Sequence, residues 1–318
     1  MKLNQLESAI LATLIWFDMF QWPLKLEELW QYLYLFDDKE DGLFKESFKE
    51  TKPGLESIRQ VLKKNENLKK IVESRGEFYF LKGKSDLVRL RQERENISSK
   101  KIKKAKRIVR LLSLVPFVKM ISLSNIMGKN NFSEESDLDF FIITSKNRIW
   151  TTRFFTVSLV ETLGLRPRFN YRKDKACLNF FLSEDNLSLE SMALRPYDIY
   201  LTYWIHQLIP FCDKDETYKK FLKANDWTRK YLPNIVDRSN LINFWQEKGL
   251  PPKKGFLERF LCYLQLKLMP KILKEKAKED PQAVIISDKK LKFHIQERRE
   301  KYREKFEKQF KIISGNWC

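Results

Sequence analysis

The sequence is poor in glycine, cysteine and histidine, and each shortage excludes a class of structure. Nine glycines in 318 residues leave few positions for tight hairpins, so the composition favours a helix-rich fold. The four cysteines form no Cys-x-x-Cys pair, and only two histidines accompany them. This usage predicts neither a structural zinc site nor a disulfide framework, and it is typical of a protein from a reducing cytoplasm.

The sequence also lacks an apolar run long enough to span a bilayer. The N-terminal run at residues 9–17 lies between Glu7 and Asp18, and no small-residue cleavage site follows it. A membrane-spanning helix needs about 20 apolar residues, so we expect a buried helix here and no membrane partner. Repeats of solenoid period are absent from the sequence as well.

Positive charge is the property that the sequence has in excess. Its 61 Lys and Arg against 42 Asp and Glu give a net charge of +19. A field of this sign attracts polyanions, with nucleic acid first and an anionic membrane surface second. The alternative is a surface charged only for solubility. Hydrophobic residues at 43% and aromatic residues at 14% are typical of a folded chain, and the length allows two or three domains.

The first 84 residues combine helical patterns with a hairpin pattern. Apolar spacing and turn residues predict a helix at residues 5–20, a second after Pro23, a third after Pro53, and strands at residues 68–72 and 77–81. Three helices followed by a two-stranded wing are typical of a winged helix. Because the third helical pattern offers few cations to a DNA groove, we favour a packing role for this module.

A basic helix is predicted at residues 85–114, with a break near Ser98. Its apolar stripe faces inward, and its outer face carries the cations Lys100, Lys101, Lys103, Lys104, Lys106, Arg107 and Arg110. This face is either simply solvated or a ridge that contacts phosphates beside the active site. On the second interpretation, Lys103, Lys104 and Arg107 are candidates for nucleic-acid contact.

The most informative stretch is residues 121–144, which predicts a strand, a Ser-Asn turn, a polar link and a second strand. Asp137 and Asp139 flank Leu138, and residues two apart on a strand point to the same face. Two acids at the edge of a buried strand are costly unless a cation lies between them. Mg²⁺ suits this role because it binds one or two carboxylates and completes its shell with waters and phosphates.

Polar groups just upstream are placed to bind phosphate. Ser122, Ser124 and the backbone amides near Asn125 precede the acidic pair, at the predicted end of the first strand. Backbone amides at the start of a helix, with hydroxyl groups beside them, form a ready anion site.

The spacing of Ser124, twelve residues and then Asp137-Leu138-Asp139 resembles the nucleotidyltransferase motif of the DNA polymerase beta-like superfamily. The resemblance covers residues 121–183. The chain is also similar to bacterial proteins that pair such a domain with an N-terminal winged-helix-like segment. It implies that both aspartates are catalytic and hold Mg²⁺ (or Mn²⁺). It also implies an NTP substrate bound by Ser122, Ser124, Asn125 and Lys129.

The sequence departs from this family pattern at two positions. Leu123 stands where the family has a glycine, which removes backbone freedom where a triphosphate must approach. The family also places a third acid on a later strand. On the strand predicted at residues 176–182 the corresponding residue is Asn179, which is able to ligate the metal or hold a water. Asp174 and Glu184 flank this strand, and either is able to substitute for the missing acid.

Beyond the acidic pair, a helix is predicted at residues 147–164, ending at Gly164. Five cations crowd the connection that follows: Arg166, Arg168, Arg172, Lys173 and Lys175. We expect this connection near the triphosphate, and we expect Arg172 and Lys173 to contact nucleic acid.

The last third of the sequence shows helical patterns separated by a Pro-Gly linker at residues 250–255. Helices are predicted at residues 195–209, 219–231, 256–269, 271–280 and 289–310. The aromatic residues of the first of these are expected in the core, with His206 packed and hydrogen-bonded.

These patterns together predict a helix-rich α+β fold. The expected parts are a winged-helix-like module at residues 1–84, a basic connecting helix at 85–114, a small mixed-sheet nucleotidyltransferase core at 115–190, and a helical region at 191–318.

The expected function is transfer of a nucleoside monophosphate from an NTP to an acceptor, with RNA, such as tRNA, favoured over DNA by the charge. Two alternatives remain open. One is a nucleotidyltransferase fold that has lost catalysis and binds nucleic acid or protein. The other is a winged-helix regulator that binds duplex DNA through its first 85 residues.

Overall fold

The computed structural model describes residues 3–36, 52–124, 131–168, 171–236 and 255–315. Its helices in these ranges are α1 Gln5–Asp18, α2 Leu26–Gln31, α3 Leu55–Lys64, α4 Glu66–Lys69, α5 Asp86–Leu112, α6 Ile149–Thr162, α7 Ile199–Gln207, α8 Thr217–Ala224, α9 Phe256–Leu268, α10 Lys271–Glu279 and α11 Arg299–Ser314. Its strands are β1 Leu24–Lys25, β2 Val72–Arg75, β3 Phe78–Leu81, β4 Val118–Leu123, β5 Leu138–Thr144, β6 Ala176–Ser183, β7 Ile209–Asp213, β8 Val284–Ile286 and β9 Lys290–Phe293.

A three-stranded antiparallel sheet of order β1-β3-β2 organises the N-terminal part. The hairpin between β2 and β3 turns at Gly76, whose φ of 62° is readily adopted by glycine. Two expectations differ from the structure at their boundaries. The helix expected after Pro23 is present as α2, but the two-residue strand β1, which pairs with β3, comes before it. The strand expected at residues 68–72 begins only at Val72: Leu68 and Lys69 end the short helix α4, which the Asn65 side chain caps by accepting a hydrogen bond from the Leu68 N–H.

The basic helix α5 is continuous, so the predicted break near Ser98 was wrong. The Ser98 side chain is buried in the described structure, and its hydroxyl oxygen accepts a hydrogen bond from the Phe132 N–H at 3.2 Å. The hydroxyl therefore serves a tertiary contact rather than a helix cap. This contact joins the middle of α5 to the segment that leads into β5.

The second sheet has six strands in the order β7-β4-β5-β6-β9-β8. Neighbouring strands are antiparallel, except that β5 and β6 run parallel, so the sheet is mixed as expected. The central strands β4, β5 and β6 come from residues 115–190. The outer strands come from the C-terminal part of the chain, which was expected to be helical throughout.

The helix expected at residues 289–310 was also wrong at its start. Residues 290–293 form β9, and α11 begins only at Arg299. Leu291 of β9 is fully buried in the sheet, and Lys290 and Lys292 lie on its other face, opposite Leu182 and Phe180 of β6. Two lysines in four residues resemble a solvated helix in sequence, and only the pairing with β6 makes this segment a strand.

Both faces of the six-stranded sheet are covered. On one face, α5, α6 and α9 contribute to a cluster around Ile121, Phe140 and Phe181. On the other, α7 and α8 contribute to a cluster around Phe141 and Leu182. A third cluster joins the N-terminal part to the C-terminal part, because the apolar helix α1 packs with aromatic residues of α7 and α11.

Candidate functional site

Asp137 and Asp139 lie at the N-terminal end of β5, where three strands meet. Asp139 is aligned with Cys177 of the parallel strand β6. On the other side, the Ser124 N–H and hydroxyl both donate to the Asp139 carbonyl oxygen, at 2.9 and 3.2 Å. The register of β4, β5 and β6 therefore brings Ser124, the acidic pair and Cys177 to one end of the central sheet.

Successive side chains of β5 point to opposite faces of the sheet, so the two acids lie on the face opposite to that of Leu138 and Phe140. Leu138 and Phe140 belong to the cluster under α5 and α6, and Phe141 belongs to the cluster on the opposite face. Asp139 shares the face of Phe141 because side chains two apart on a strand point the same way. Tyr200 of α7 lies within electrostatic range of Asp139, so α7 borders the site on this face.

The two carboxylates are close together, as their spacing predicted. One ligand atom from each of Asp137, Asp139 and Cys177 lies within 4.8 Å of the others. The Asn179 amide nitrogen donates to Asp139 Oδ1 at 3.2 Å, and the Arg172 Nε lies 3.5 Å from Asp137 Oδ2. The site thus pairs two acids with one cation, one amide and one thiol.

Burial perturbs the ionisation of the groups in this cluster. Burial first, and the charge of Asp137 second, raise the pKa of Asp139 to about 7, although hydrogen bonds from Cys177 and Asn179 oppose the shift. Burial, and then the charges of Asp139 and Asp137, raise the pKa of the Cys177 thiol well above its usual value. A bound cation would offset the charge repulsion that, after burial, raises both pKa values.

Cys177 is the member of the site that the sequence patterns did not identify. It was counted only as one of four scattered cysteines, because a lone thiol has no spacing signature. The signal that points to it is the parallel pairing of β5 with β6, which sets Cys177 opposite Asp139.

The flanking acids proposed as substitutes for a third carboxylate differ in position. Glu184 follows the C-terminal end of β6, beyond Ser183, which pairs with Thr144 at the far end of β5. With about 3.3 Å per residue, this places Glu184 roughly 20 Å from the acidic pair, so it does not belong to the site. Asp174 lies at the correct end of the sheet.

Asp174 is, however, already held by two lysines. Lys101 Nζ lies 2.7 Å from Asp174 Oδ1, and Lys104 Nζ lies 3.0 Å from Oδ2. Although burial opposes the shift, hydrogen bonds from these lysines lower the pKa of Asp174. Asp174 therefore joins α5 to the loop before β6, and the site has no third carboxylate among the described residues.

The expected phosphate-binding residues are only partly described. Ser122 is fully buried, and its hydroxyl has no hydrogen-bond partner within the described ranges. It is not accessible to a nucleotide in this structure, because it lies two residues further inside the sheet than Ser124 and is fully buried. Asn125 and Lys129 lie outside the described residues.

Leu123 stands where the resemblance predicts a glycine. It is a regular strand residue opposite Phe140, and its side chain is buried in the cluster under α5 and α6. The side chain therefore points away from the face that carries Asp139.

The basic helix α5 reaches the site through one of its expected outer residues. Lys101 is only 4% exposed and donates to the Ser136 carbonyl oxygen at 2.7 Å, so assigning it to the solvated face was wrong. Lys103 and Arg107 are exposed, and Lys104 is partly engaged by Asp174. Lys173 pairs with Glu134 at 2.6 Å across the same end of the sheet.

The aromatic residues of α7 lie in the core, as expected. Tyr203 is fully buried against Trp16 and Phe17 of α1. The His206 Nε2 lies 2.8 Å from the Thr228 hydroxyl, so the prediction of a packed, hydrogen-bonded histidine is confirmed.

None of the helices in the described ranges combines the length and the apolarity needed to cross a membrane. Comparisons with known proteins found no matching family model, no similar curated protein and no similar solved structure. The function is therefore argued from the residues of the site and their geometry.

Proposed function

We propose that the protein is a metal-dependent nucleotidyltransferase that moves a nucleoside monophosphate from an NTP to an acceptor, with RNA as the favoured acceptor. The observation that carries the proposal is the convergence of Asp137, Asp139 and Ser124 at one end of a mixed sheet. These are the residues whose spacing resembles the DNA polymerase beta-like motif.

The donor set of the site fits a divalent cation. Two carboxylates within 4.8 Å of each other, one with its pKa raised by burial and then by the other's charge, form an acidic pair that a cation stabilises. Asp137 and Asp139 would hold Mg²⁺ or Mn²⁺, because these ions prefer oxygen ligands and leave positions for phosphates. When bound, the metal supplies charge stabilisation at the phosphates of the substrate. The Asn179 amide nitrogen faces Asp139, so Asn179 orients this carboxylate and is not itself a ligand in this rotamer.

The other residues of the site orient the substrate and balance its charge. Ser124 fixes the strand end by two hydrogen bonds to the Asp139 carbonyl, which sets the direction of the acid. Arg172 is 65% exposed while its Nε lies near Asp137, so its guanidinium is able to neutralise a phosphate that enters beside the acids. In phosphoryl transfer, such positioning and electrostatic terms supply most of the catalysis.

The favoured acceptor follows from charge. The net charge of +19 and the exposed cations of α5 give a polyanion a surface next to the site, because Lys101 and Lys104 join α5 to Asp174 at the same sheet end. We assign the N-terminal three-stranded module, which we interpret as winged-helix-like, to packing. Its helix α1 is buried against α7 and α11.

A second candidate function is a nucleotidyltransferase fold that has lost catalysis and binds nucleic acid or a protein. Two observations favour it: no third carboxylate joins the pair among the described residues, and Arg172 already contacts Asp137. On this alternative, the cation-rich surface binds while the acidic pair has no chemical role.

The deciding experiment is transfer of label from each α-³²P-NTP, with Mg²⁺ or Mn²⁺, to total RNA and to protein. We expect labelled RNA with the wild type and loss of label in Asp137→Asn and in Asp139→Asn, because either change removes a metal ligand. Asp86→Asn is the matched control, since Asp86 is exposed at the start of α5.

The outcomes separate the two functions. Label that persists in both site variants, or no label with any nucleotide, contradicts the enzyme. RNA binding that is unchanged in the same variants then supports the binding module, and label in protein instead of RNA changes the acceptor class.

A further inference from the structure

A second cleft lies at the opposite end of the sheet from the acidic pair. The β8–β9 hairpin and the segment after β6 border an open cleft of about 570 Å³, lined by residues that include Asn186, Met192, Ile285, Asp288, Lys289 and Lys290. Lys290 is aligned with Leu182 of β6, whereas Asp139 is aligned with Cys177. Five residues of strand, at about 3.3 Å each, separate the two positions by roughly 16 Å.

Of the charged residues that line this cleft, only Lys290 is buried. Only 7% of its surface is exposed. No carboxylate pairs with it in the part of the chain that the structure describes. Its nearest charged neighbour on β9 is Lys292, another cation, and burial followed by Lys292 lowers the pKa of Lys290.

Each acid near Lys290 is engaged by another group. Asp288 Oδ1 accepts a hydrogen bond from the Trp150 indole at 2.9 Å, and Trp150 belongs to the cluster on the other face of the sheet. Glu297 lies 2.7 Å from the ammonium of Lys292. Asp185 accepts a hydrogen bond from the Ser183 hydroxyl at 2.6 Å and lies 3.7 Å from Lys289.

A buried ammonium without a counter-charge is costly, and proteins usually place an acid or a bound anion beside it. The cleft has the size of a small-molecule site, for which volumes of about 300 to 1,000 Å³ are typical. Its walls combine apolar surface from Met192, Pro281 and Ile285 with polar groups from Asn186 and Ser287. Such walls suit a ligand with an apolar body and one charged end.

We propose that this cleft binds a small organic anion, whose carboxylate or phosphate group pairs with Lys290 and whose apolar body packs on Met192 and Ile285. The inference goes beyond nucleotidyl transfer and does not depend on it, because no residue of the acidic site lines the cleft.

The test is calorimetric binding of phenyl phosphate and benzoate, with phenol as the uncharged probe and inorganic phosphate as the probe without an apolar body. We expect wild-type protein to bind at least one of the two organic anions, and more tightly than phenol or inorganic phosphate. Which of the two binds better distinguishes a phosphate ligand from a carboxylate ligand.

Lys290→Met keeps the length of the side chain and removes its charge, so it should weaken binding at least tenfold. Lys305→Met, at an exposed lysine of α11 that does not line the cleft, should leave binding within about twofold.

The stability of Lys290→Met provides an independent readout. Loss of an unpaired buried charge should raise the midpoint of thermal unfolding, and added anion should raise the midpoint of the wild type but not that of the variant. A lower midpoint for Lys290→Met would mean that the lysine has a structural counter-charge, which overturns the proposal. Failure of both organic anions to bind wild-type protein, or equal binding to Lys290→Met, overturns it too. Asp139→Asn should bind the anion normally, so failure of the nucleotidyltransferase proposal and failure of this one are distinguishable.

Discussion

At the residue scale, the two aspartates of the site have different environments. The Asp137 side chain is near the exposed guanidinium of Arg172, whereas Asp139 faces Asn179 and the Cys177 thiol. Burial first, and the charge of Asp137 second, raise the pKa of Asp139 to about 7. The acid that the strand buries most is thus the one that most needs a proton or a metal.

This difference predicts how Asp139→Asn changes stability with pH in metal-free protein. A carboxyl group with an ordinary pKa of 3.8 and a folded-state pKa of about 7 destabilises the fold progressively as pH rises from about 4 to 7. Asparagine mimics the protonated form, so the variant should gain stability over wild type across this range, and the gain should level off above pH 7. Denaturant unfolding in the presence of a chelator measures it.

The control for the loss of one negative charge is Asp86→Asn, at an exposed position on α5. A stability difference between Asp139→Asn and wild type that stays constant from pH 4 to pH 8 would contradict the raised pKa.

At the element scale, the C-terminal helix is fixed by a buried ionic network. Arg299, the first residue of α11, donates to Asp198 Oδ2 at 2.7 Å and to the Met192 carbonyl oxygen at 2.9 Å. Asp198 in turn caps α7 by accepting from the Leu201 N–H at 2.8 Å. Glu297 bridges Arg299 and Lys292 of β9. One arginine therefore connects α7, α11 and the edge of the sheet.

Arg299→Met should destabilise the protein by about 3–5 kcal/mol, because it leaves Asp198 buried without its partner. Asp198 is only 2% exposed, so water cannot replace the lost guanidinium. Denaturant unfolding at neutral pH measures the free-energy change. Arg298→Met, at the exposed preceding residue, should change the free energy by less than about 0.5 kcal/mol. A similar loss in both variants would show that the network adds nothing specific.

At the scale of the whole molecule, two features matter most: the net charge of +19 and the hydrophobic cluster that the N-terminal and C-terminal parts share. The third hydrophobic cluster draws buried residues from α1, α7 and α11, so the N-terminal module and the C-terminal helices stabilise each other. Removal of residues 1–84 would expose this cluster. For this reason a winged-helix regulator, the remaining alternative, is better tested by point changes at Lys63 and Lys64, the exposed cations of α3, than by truncation.

RNA binding should depend steeply on salt, and the α5 ridge should supply part of that dependence. Each phosphate contact to single-stranded RNA contributes about 0.7 to the slope of log K against log salt. The double change Lys103→Gln with Arg107→Gln should therefore reduce the slope for poly(U) by about 1.4. Fluorescence titration over a series of salt concentrations measures both slopes.

The matched control is Lys305→Gln with Lys308→Gln, because both lysines are exposed on α11 and the change in net charge is the same. Equal reductions in the two double variants would indicate that binding follows the total charge and that α5 has no special place in it.

Much of the site could be predicted from the sequence, because its signals are local. Asp137 and Asp139 flank one apolar residue before a run of buried ones, and that alternation fixes a strand with both acids on one face. The helical spacing of apolar residues, together with flanking turn residues, also predicted four of the helices: α1, α3, α6 and α9. These features depend on neighbours within one or two turns of chain, where steric preference and period act directly.

The rest depended on contacts between residues far apart in the chain. Cys177 lies beside the acidic pair because of the register of β5 with β6. Lys101 is buried where it forms an ion pair with Asp174, which lies 73 residues later in the chain. Lys290 belongs to a strand because β9 pairs with β6, where Leu182 lies opposite Lys290. The sequence by itself determined which residues carry charge and in which segments apolar residues recur with the spacing of a helix or a strand. Only the tertiary structure decided which charges are buried and paired, because pairing energy depends on distance in space and the spacing of residues along the chain does not encode it.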